Sequence, residues 1–594
     1  MAEHLAEKSV ELSYEEYSIT QKADLNIASI KSANIIFLSF PSGDIKRIKK
    51  YLDFVNDIKK LVNKDSYIII FADNKTLALL NYGIEDNELF NYKTWICLRQ
   101  ELLEKENALP NETKGAIVYS KSPKSINKGI CKVRLPYTYC PACDRTTKDY
   151  GGKKHLYHEY GTTMRDVWRD FKIKANDDLP KDAIDRIRDM FSVEPHTKMV
   201  SLSLWNYDWS QCSDFNFPLP KVKNDKVDHF EQKVITKSEL INGDALENLK
   251  KIESNSIDYI FIDPPYNLKK NYKGYHDNLE IEEYYSWCDE WLNECYRVLK
   301  PGKFLSILNM PMRCSRHFAF LNQKMELSSW ITWDSLSRPA RKIMPANYTI
   351  LTMQKVANDA NNSINRDLEE NLLPKEDNYC KRKSCIKRRE AKYKALSDLW
   401  TDIYRVKHNS RRYDHPTQLP SKLMKRLISI YTSPGEIVLD CFNGIGTTTL
   451  SAAIIGRKYV GIEIAEKYYN TAKRRHEDFK AGLDPFRKNN ISAEKKTKNN
   501  NEKRLKSPNS RKDGLTKKKV QLKIKELSKK IGKIPTIDEA LKHLEIPKEF
   551  YDDYFSSWSE VTAAAKTTGM TEYKDENIDN KDDETKQTNL FDIN

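Results

Sequence analysis

A buried strand that ends in Asp-Pro-Pro-Tyr is the feature that most constrains this chain. Residues 259–262 are apolar without alternation, which is typical of a strand covered on both faces of a parallel sheet. Pro264 and Pro265 cannot continue a central strand, because proline lacks a backbone N–H and has a fixed φ. The sequence therefore predicts that Asp263, free carbonyls and Tyr266 lie where open α/β sheets bind ligands. The alternative is an ordinary turn after a strand.

Length, charge and cysteine content indicate the general class of protein. A chain of 594 residues has room for several domains, and its net charge of +15 favours a polyanionic partner, although composition alone does not identify nucleic acid. No apolar run is long enough to span a bilayer, and the N-terminus lacks the pattern of a signal peptide. We therefore expect an intracellular protein in a prokaryotic cytoplasm, with no membrane partner. There the 11 cysteines should be reduced thiols or metal ligands.

A second pattern downstream reads strand, glycine turn, helix, strand. The strands are predicted at 437–440 and 459–464, the turn FNGIG occupies 442–446, and the helix begins at Thr447. Small residues in such a turn let the backbone approach a ligand, and an acidic residue late in the second strand, here Glu463, can bind both ribose hydroxyls. The turn matches neither GxGxxG nor a phosphate loop. A small nucleoside ligand therefore fits better than a pyrophosphate or a triphosphate.

Together these motifs resemble the permuted β group of DNA amino-methyltransferases, in which Asp-Pro-Pro-Tyr precedes the S-adenosylmethionine (SAM) turn along the chain. The segments INGDALENL (241–249) and HPTQLPSKLMKRLI (415–428) extend the match, which covers about residues 235–480. The resemblance implies an α/β fold with a Rossmann-like SAM-dependent methyltransferase sheet. It implies the catalytic residues Asp263, Pro264, Pro265 and Tyr266. It implies the cofactor-binding residues Asp244, His415, Gln418, Asp440, Phe442, Gly444, Gly446, Thr447 and Glu463. The family's usual lysine is Leu419 here, which puts one polar contact in doubt.

The resemblance also implies methyl transfer to the N6 amino group of an adenine flipped out of double-stranded DNA. That nitrogen is a poor nucleophile, because its lone pair is delocalised into the ring. Asp263 and the Pro264 carbonyl would each accept a hydrogen bond from it and favour a pyramidal nitrogen, while Tyr266 stacks on the base. The Lys- and Tyr-rich segment 267–278 would close over the base, or is simply solvated. A cytosine-N4 or RNA methyltransferase and a catalytically silent DNA-binding protein remain alternatives.

The first half of the chain reads as a degenerate methyltransferase-like copy of the second. Residues 32–43 (SANIIFLSFPSG) align with 256–267 (SIDYIFIDPPYN), and Ser39, Phe40 and Ser42 replace the Asp, the first Pro and the Tyr. Later matches keep the order, pairing TWICLR with SWITWD and DVWRD with DLWTD. Without a later FNGIG turn, the copy should neither bind SAM nor transfer methyl groups. We interpret it as a pseudo-subunit that holds DNA, or alternatively as a cover for the apolar dimerisation face.

Two cysteine pairs stand at corresponding places in the two halves, YCPAC before DVWRD and YCKRKSC before DLWTD. They predict one structural zinc site that links the halves, formed by Cys140, Cys143, Cys380 and Cys385. A competing set combines the first pair with His155 and His158, and the absence of any metal is the third possibility.

The predicted domain order follows from these motifs and from shifts in composition. It comprises the pseudo-subunit (1–230), the catalytic domain (231–484) with a DNA-contacting insertion (358–397), a basic disordered linker (485–519), a small helical DNA-binding module (520–570) and an acidic disordered tail (571–594). KHNSRR (407–412) is expected to contact phosphates.

The segments near the C-terminus carry two further resemblances. The segments IGKIPT and SWSEV resemble a helical repeat found beside homing endonucleases, with helices over 520–531, after Pro535–Thr536 and from Trp558. Gln587, Leu590 and Phe591 resemble a sliding-clamp peptide, or match it by accident. No nuclease motif is found, so a cognate restriction endonuclease would be a separate chain. Whether the protein self-associates further is left open.

Overall fold

The computed structural model describes most of the chain. The described residues are 13–105, 108–121, 161–174, 176–190, 197–220, 236–267, 279–335, 346–357, 395–406, 418–486, 515–555 and 557–567, with single residues and short strand pairs between these ranges. Within this part of the chain, no helix is long and apolar enough to cross a membrane. Two large sheets with their helices, and a group of helices near the C-terminus, make up most of the described chain.

The first half is a seven-stranded mixed sheet. Its strands are β1 (Tyr14–Ser18), β2 (Ile35–Ser39), β3 (Tyr67–Asp73), β4 (Asn91–Leu103), β5 (Asn111–Ser120), β6 (Val167–Ile173) and β7 (Met199–Ser203), in the order β1-β7-β2-β3-β5-β4-β6. Its helices are α1 (Ile27–Ser32), α2 (Ile45–Leu61), α3 (Asn74–Asp86) and α4 (Lys181–Met190). Apolar clusters lie on both faces, with α2 and α3 on one and α4 on the other.

The second half is an eight-stranded mixed sheet, also covered on both faces. Its strands are β8 (Glu239–Asn242), β9 (Ile257–Ile262), β10 (Leu299–Asn309), β11 (Met325–Asp334), β12 (Asn347–Lys355), β13 (Leu399–Trp400), β14 (Ile437–Asp440) and β15 (Lys458–Glu463), in the order β8-β15-β14-β9-β10-β12-β11-β13. Its helices are α5 (Ala245–Lys250), α6 (Ile281–Val298), α7 (Pro311–Leu321), α8 (Ser421–Tyr431), α9 (Thr447–Ile454) and α10 (Glu466–Lys480). The predicted α/β class is confirmed.

The two sheets share one order of strands. In the first, β7-β2-β3 are parallel neighbours, β3-β5-β4 are antiparallel and β4-β6 are parallel. In the second, β14-β9-β10, β10-β12-β11 and β11-β13 repeat these directions. The segments aligned in the sequence, 32–43 and 256–267, contain the equivalent strands β2 and β9. The halves differ next to β7, where β1 occupies the place that β15 has beside β14.

The halves pack against each other through equivalent elements. Asp166, just before β6, accepts hydrogen bonds at Oδ1 from the backbone N–H of Ala346 (2.8 Å) and of Asn347 (2.9 Å). Asp398, just before β13, accepts bonds from Glu112 N (2.7 Å) and Thr113 Oγ1 (2.9 Å) at the start of β5. In each half, the aspartate at the equivalent position thus accepts hydrogen bonds from the other half. This reciprocal arrangement is the one expected of a two-fold interface.

The remaining described elements are short. Four helices pack on one apolar cluster near the C-terminus: α11 (Lys517–Ile531), α12 (Ile537–His543), α13 (Lys548–Tyr554) and α14 (Trp558–Val561). Trp558 therefore begins the fourth helix and not the third, because the prediction missed α13. Antiparallel two-residue strands pair Arg134–Leu135 with Thr162–Thr163, Tyr139–Cys140 with Arg145–Thr146, Asn271–Tyr272 with Tyr275–His276, and Leu373–Pro374 with Tyr393–Lys394.

Several predicted segments lie wholly or mostly outside the described residues. These are most of the insertion at 358–397, the basic run at 407–412, most of the linker at 485–519, the tail at 571–594 with its sliding-clamp motif, and much of the loop at 267–278. The predictions for them, and the domain boundaries drawn through them, stay predictions.

Candidate active site

Two loops meet at one edge of the second sheet, because β9 and β14 are parallel neighbours, with Tyr259 opposite Val438. Asp263 directly follows β9, and the FNGIG turn follows β14 after Asp440 and Cys441. Both loops line one cleft of roughly 1090 Å³, counted out to its open mouth. The two sequence motifs therefore form one site.

The Asp-Pro-Pro-Tyr loop is held by hydrogen bonds on both sides of its prolines. The Tyr266 hydroxyl donates to Asp263 Oδ1 (2.8 Å), and the Tyr284 hydroxyl donates to the Pro265 carbonyl (2.9 Å). Asn267, with φ of 55°, exchanges two hydrogen bonds of 2.8 Å with the backbone of Leu279. Asparagine tolerates this left-handed conformation better than most residues. The loop is therefore fixed in shape before any ligand binds.

The glycine turn contacts both the acidic strand end and the segment before α8. Gly444 has φ of 51°, and its N–H donates to Glu463 Oε2 (2.7 Å), while Ala465 N–H donates to Oε1 (2.9 Å). A Cβ at Gly444 would lie 3.1 Å from Nε2 of His415, which leaves little room for a side chain. Each carboxylate oxygen of Glu463 can accept a second hydrogen bond. The turn thus places its own backbone at Gly444 and the carboxylate of Glu463 side by side at the cleft.

Four carboxyl groups line the cleft: Asp244, Asp263, Asp440 and Glu463. Among its described lining residues there is no lysine or arginine. Burial raises the pKa of Asp440 to about 7, opposed by hydrogen bonds from Thr448 and from the backbone N–H of Phe442. Burial also raises the pKa of Glu463. An acidic cleft with partly desolvated carboxyl groups favours a cationic ligand.

Most of the predicted site residues line this cleft. They are Asp244, Asp263, Pro264, Pro265, Tyr266, His415, Gln418, Asp440, Phe442, Gly444, Thr447 and Glu463, and Leu419 joins them. Gly446 is not among the residues that line it, and its role as a cofactor contact stays a prediction. With φ of 75°, Gly446 precedes α9, and a Cβ there would lie 2.8 Å from the Cβ of Ala472. This glycine is needed for close packing of the turn on α10.

Sequence reasoning missed apolar residues of the cleft wall, including Trp287, Ile464 and Tyr468. Ile464 is 49% exposed although it is apolar, and it directly follows Glu463. That position beside a predicted ribose contact is a signal that could have identified it. Trp287 and Tyr468 belong to α6 and α10, and no motif marks them.

A second group of side chains adjoins the tetrapeptide. Tyr266 and Met310 are buried together, with Tyr348 packed against them. The Arg405 guanidinium lies 4.1 Å from the centroid of the Tyr348 ring. This cluster adds aromatic and apolar surface on the side of Tyr266, which suits a planar ligand.

The equivalent strand end in the first half is filled by aromatic rings. Phe40, in the position of Pro264, is buried and stacks on Trp209 at 5.9 Å between centroids. Tyr51 lies 4.3 Å from Trp209 and 5.0 Å from Phe40. Ser39, in the position of Asp263, is also buried. Aromatic rings thus pack at the strand end that aligns with the Asp-Pro-Pro-Tyr loop.

The predicted zinc site is not tested by the described residues. Of its four cysteines only Cys140 is described, and it is buried. Cys143, Cys380 and Cys385, together with the competing His155 and His158, lie outside the described part of the chain. Within that part, no group of three or more histidine, cysteine or acidic residues could hold a metal ion. Zinc stays a prediction.

The second half of the chain is similar in sequence to known proteins. A family model described as DNA methylase, of the N6/N4 type, matches residues 257–474. The DNA adenine methyltransferase YhdJ of Escherichia coli (strain K12) is 35% identical over 251 residues, which cover 40% of this chain and 81% of that protein. The Type II methyltransferase M.BamHI of Bacillus amyloliquefaciens is 36% identical over 233 residues. That match covers 38% of this chain and 54% of M.BamHI, so the chain spans about half the length of that relative.

The structure of the PvuII DNA methyltransferase (cytosine-N4-specific) has 20% identity and a TM-score of 0.32, covering 44% of this chain and 91% of that one. The mixed sheet with helices on both faces and a cleft at its strand ends defines an α/β protein with a ligand-sized site. Within that class, the chain belongs to the DNA methylase family.

Proposed function

We propose that the protein is a SAM-dependent DNA methyltransferase that methylates the N6 amino group of an adenine flipped out of double-stranded DNA. The observation that carries this proposal is the shared cleft, in which the strand-end carboxylate of Asp263 and the turn at Gly444 face the same space. A methyl acceptor held by one loop would meet a methyl donor held by the other. Such positioning supplies a large part of catalysis when the donor is already activated.

The residues of the cleft fit the cofactor by their chemistry. SAM supplies a methyl group activated by a sulfonium cation. The four carboxyl groups of the cleft suit this positive charge and that of the ammonium group of the same ligand. Glu463, fixed by the N–H groups of Gly444 and Ala465, would accept hydrogen bonds from ribose hydroxyls. Ile464 offers an apolar surface for a planar ring. Asp244 also caps α5 by accepting a hydrogen bond from Glu247 N (3.0 Å), which fixes its orientation.

The target base is oriented by the other loop. Asp263 and the Pro264 carbonyl each accept one N–H of the amino group, which favours a pyramidal nitrogen with its lone pair available. The Tyr266 hydroxyl donates to Asp263 and so fixes the carboxylate. Met310 and Tyr348 extend the surface on which an extruded base would rest.

Adenine is the favoured target for two reasons. Asp before Pro-Pro-Tyr is the form that favours adenine, and the relative YhdJ is named as a DNA adenine methyltransferase. Because the family model covers N4 as well as N6 enzymes, cytosine-N4 is the second candidate. Relatives named Type II methyltransferases favour a restriction–modification context, with a restriction endonuclease on another chain as partner.

The first half serves as a pseudo-subunit that is fused to its catalytic partner. Its support is the shared strand order, the reciprocal contacts of Asp166 and Asp398, and the aromatic rings in place of a cleft. The Trp95 and Trp330 rings stack at 5.4 Å between centroids, as expected near a pseudo-two-fold axis. In this arrangement the first half takes the place of a second subunit.

The helical module would bind DNA through phosphates. One side of α11 exposes Lys518, Lys519, Lys523, Lys529 and Lys530. Cations on one helix face act mainly on the backbone of DNA and confer little sequence preference. The structural zinc and the sliding-clamp contact stay predictions.

Two measurements test the activity. Titration of the full-length protein with SAM should show binding at one site, and the absence of binding would contradict the cofactor assignment. DNA from cells that express the wild type should carry N6-methyladenine in a defined sequence context, whereas DNA from cells that express Asp263→Ala should not. Methylcytosine in the wild-type DNA would support the N4 alternative. Equal methylation by both proteins would exclude the role given to Asp263.

A further inference from the structure

The catalytic loop is supported from behind by a buried tyrosine. Tyr284, in the first turn of α6, is fully buried, and its hydroxyl donates to the Pro265 carbonyl at 2.9 Å. Because the two prolines fix φ at positions 264 and 265, the loop retains few free backbone angles. A hydrogen bond to the Pro265 carbonyl restrains the peptide that joins it to Tyr266. Tyr284 therefore helps to set where Tyr266 and Asp263 stand in the cleft.

A buried arginine lies behind Tyr284. Arg313, in α7, is 3% exposed, and its guanidinium lies 5.6 Å from the ring centroid of Tyr284 and 5.5 Å from that of Tyr285. Its Nη1 donates to the Tyr285 hydroxyl at 2.8 Å. A desolvated guanidinium beside aromatic rings gains more from them than an exposed one would. Arg313 thus holds both tyrosines of the first turn of α6 in place.

The first half of the chain packs against α7, the helix that carries this arginine. Helix α3 packs on α7, and the Asn81 side chain donates to Ser315 Oγ at 2.8 Å while accepting from the Tyr119 hydroxyl at 2.9 Å. Glu85 lies one helical turn beyond Asn81 on α3. Burial raises the pKa of Glu85 to about 7, and the charge of Arg313 opposes that rise. Helix α3 of the first half therefore contacts α7, the helix that carries Arg313, through the Asn81–Ser315 hydrogen bond.

We propose that Arg313 and Tyr284 are positioning residues through which the first half sets the geometry of the catalytic loop. The connection runs from Asn81 of the first half to Ser315 on α7, then from Arg313 on the same helix to the two tyrosine rings, and ends at the Pro265 carbonyl. This inference rests on the proposed function, since the loop must act in methyl transfer for its geometry to affect a rate. It gives the fused half a role in catalysis.

The decisive variant is Tyr284→Phe, which removes one hydroxyl and keeps the ring. We expect the single-turnover rate of methyl transfer to DNA to fall by about tenfold, from the loss of one buried hydrogen bond. The Kd for SAM should stay within about twofold of the wild-type value, because the glycine-turn side of the cleft is unchanged. Tyr296→Phe is the matched control, since Tyr296 lies on the same helix away from the loop. Its rate should equal that of the wild type.

The link to the first half is tested with Asn81→Ala, which removes the hydrogen bond to Ser315. Alone, it should lower the transfer rate by about threefold, and combined with Tyr284→Phe it should cost less than the product of the two separate effects, because both act on the Pro265 carbonyl through the Tyr284 hydroxyl. Strictly multiplicative effects would overturn the proposed connection. A wild-type rate in Tyr284→Phe would overturn the positioning role itself. A wild-type protein that transfers no methyl group to DNA would instead overturn the proposed function, and this inference with it.

Discussion

The pH dependence of cofactor binding is the sharpest consequence of the acidic cleft. Burial raises the pKa of Asp440 to about 7, so about half of the free protein carries this carboxyl group protonated at neutral pH. A sulfonium cation binds the ionised form more tightly, and SAM affinity should therefore rise with pH. If only the ionised form binds, its fraction grows about tenfold between pH 6 and pH 8, and the Kd should fall by about the same factor.

The assay is calorimetric titration of the full-length protein with SAM at several values across that range. The ammonium group of the ligand also loses its proton toward pH 8, which acts in the opposite direction. Asp440→Asn provides the control, because it cannot ionise at this position and retains only the contributions of the ligand and of Glu463. A rise in wild-type affinity that Asp440→Asn reproduces in full would refute the reasoning, and so would an affinity that falls throughout the range.

Three further predictions concern stability and the cofactor. Asp166→Ala and Asp398→Ala should each lower the free energy of unfolding in urea by about 2–4 kcal/mol, because each leaves buried donors without an acceptor. A loss below about 0.5 kcal/mol for both would contradict the interface. Gly446→Ala should lower the melting temperature more than Gly456→Ala, since both have positive φ but only the first meets a side chain. Equal losses would contradict that contact. Ile464→Ser should raise the Kd for SAM several-fold, by about 1 kcal/mol, and an unchanged Kd would exclude a ring contact there.

The motifs of the second half were predictable because each has a local cause. Strand β14 ends at Asp440 as predicted, and α9 begins at Thr447, since the glycine turn after a short apolar run permits little else. The two prolines after β9 likewise fix where that strand ends. Because both strands are parallel, their ends meet at one edge, so the cleft itself followed from the sequence.

Other features depend on packing between distant segments and were not predictable. The hydrogen bond between Asn81 and Ser315 requires α3 and α7 to meet across more than 200 residues of sequence, and no pattern within either helix indicates that meeting. The motif likewise does not say which glycine packs against α10, as Gly446 does, and which lies beside His415, as Gly444 does. Helix α13 was missed because it begins after Pro547 without a side-chain cap, whereas α12, of the same length, begins with a capping box formed by Thr536 and Glu539.

The central claim is that one cleft brings a base amino group, held by Asp263, to a methyl group held beside Gly444. The most direct measurement is single-turnover transfer of labelled methyl from SAM to duplex DNA, with the SAM Kd measured in parallel, for the wild type and Asp263→Asn. We expect label on adenine N6 with the wild type, and a rate about 10²–10³-fold lower for Asp263→Asn with nearly unchanged SAM binding. An equal rate in the two proteins would contradict the account.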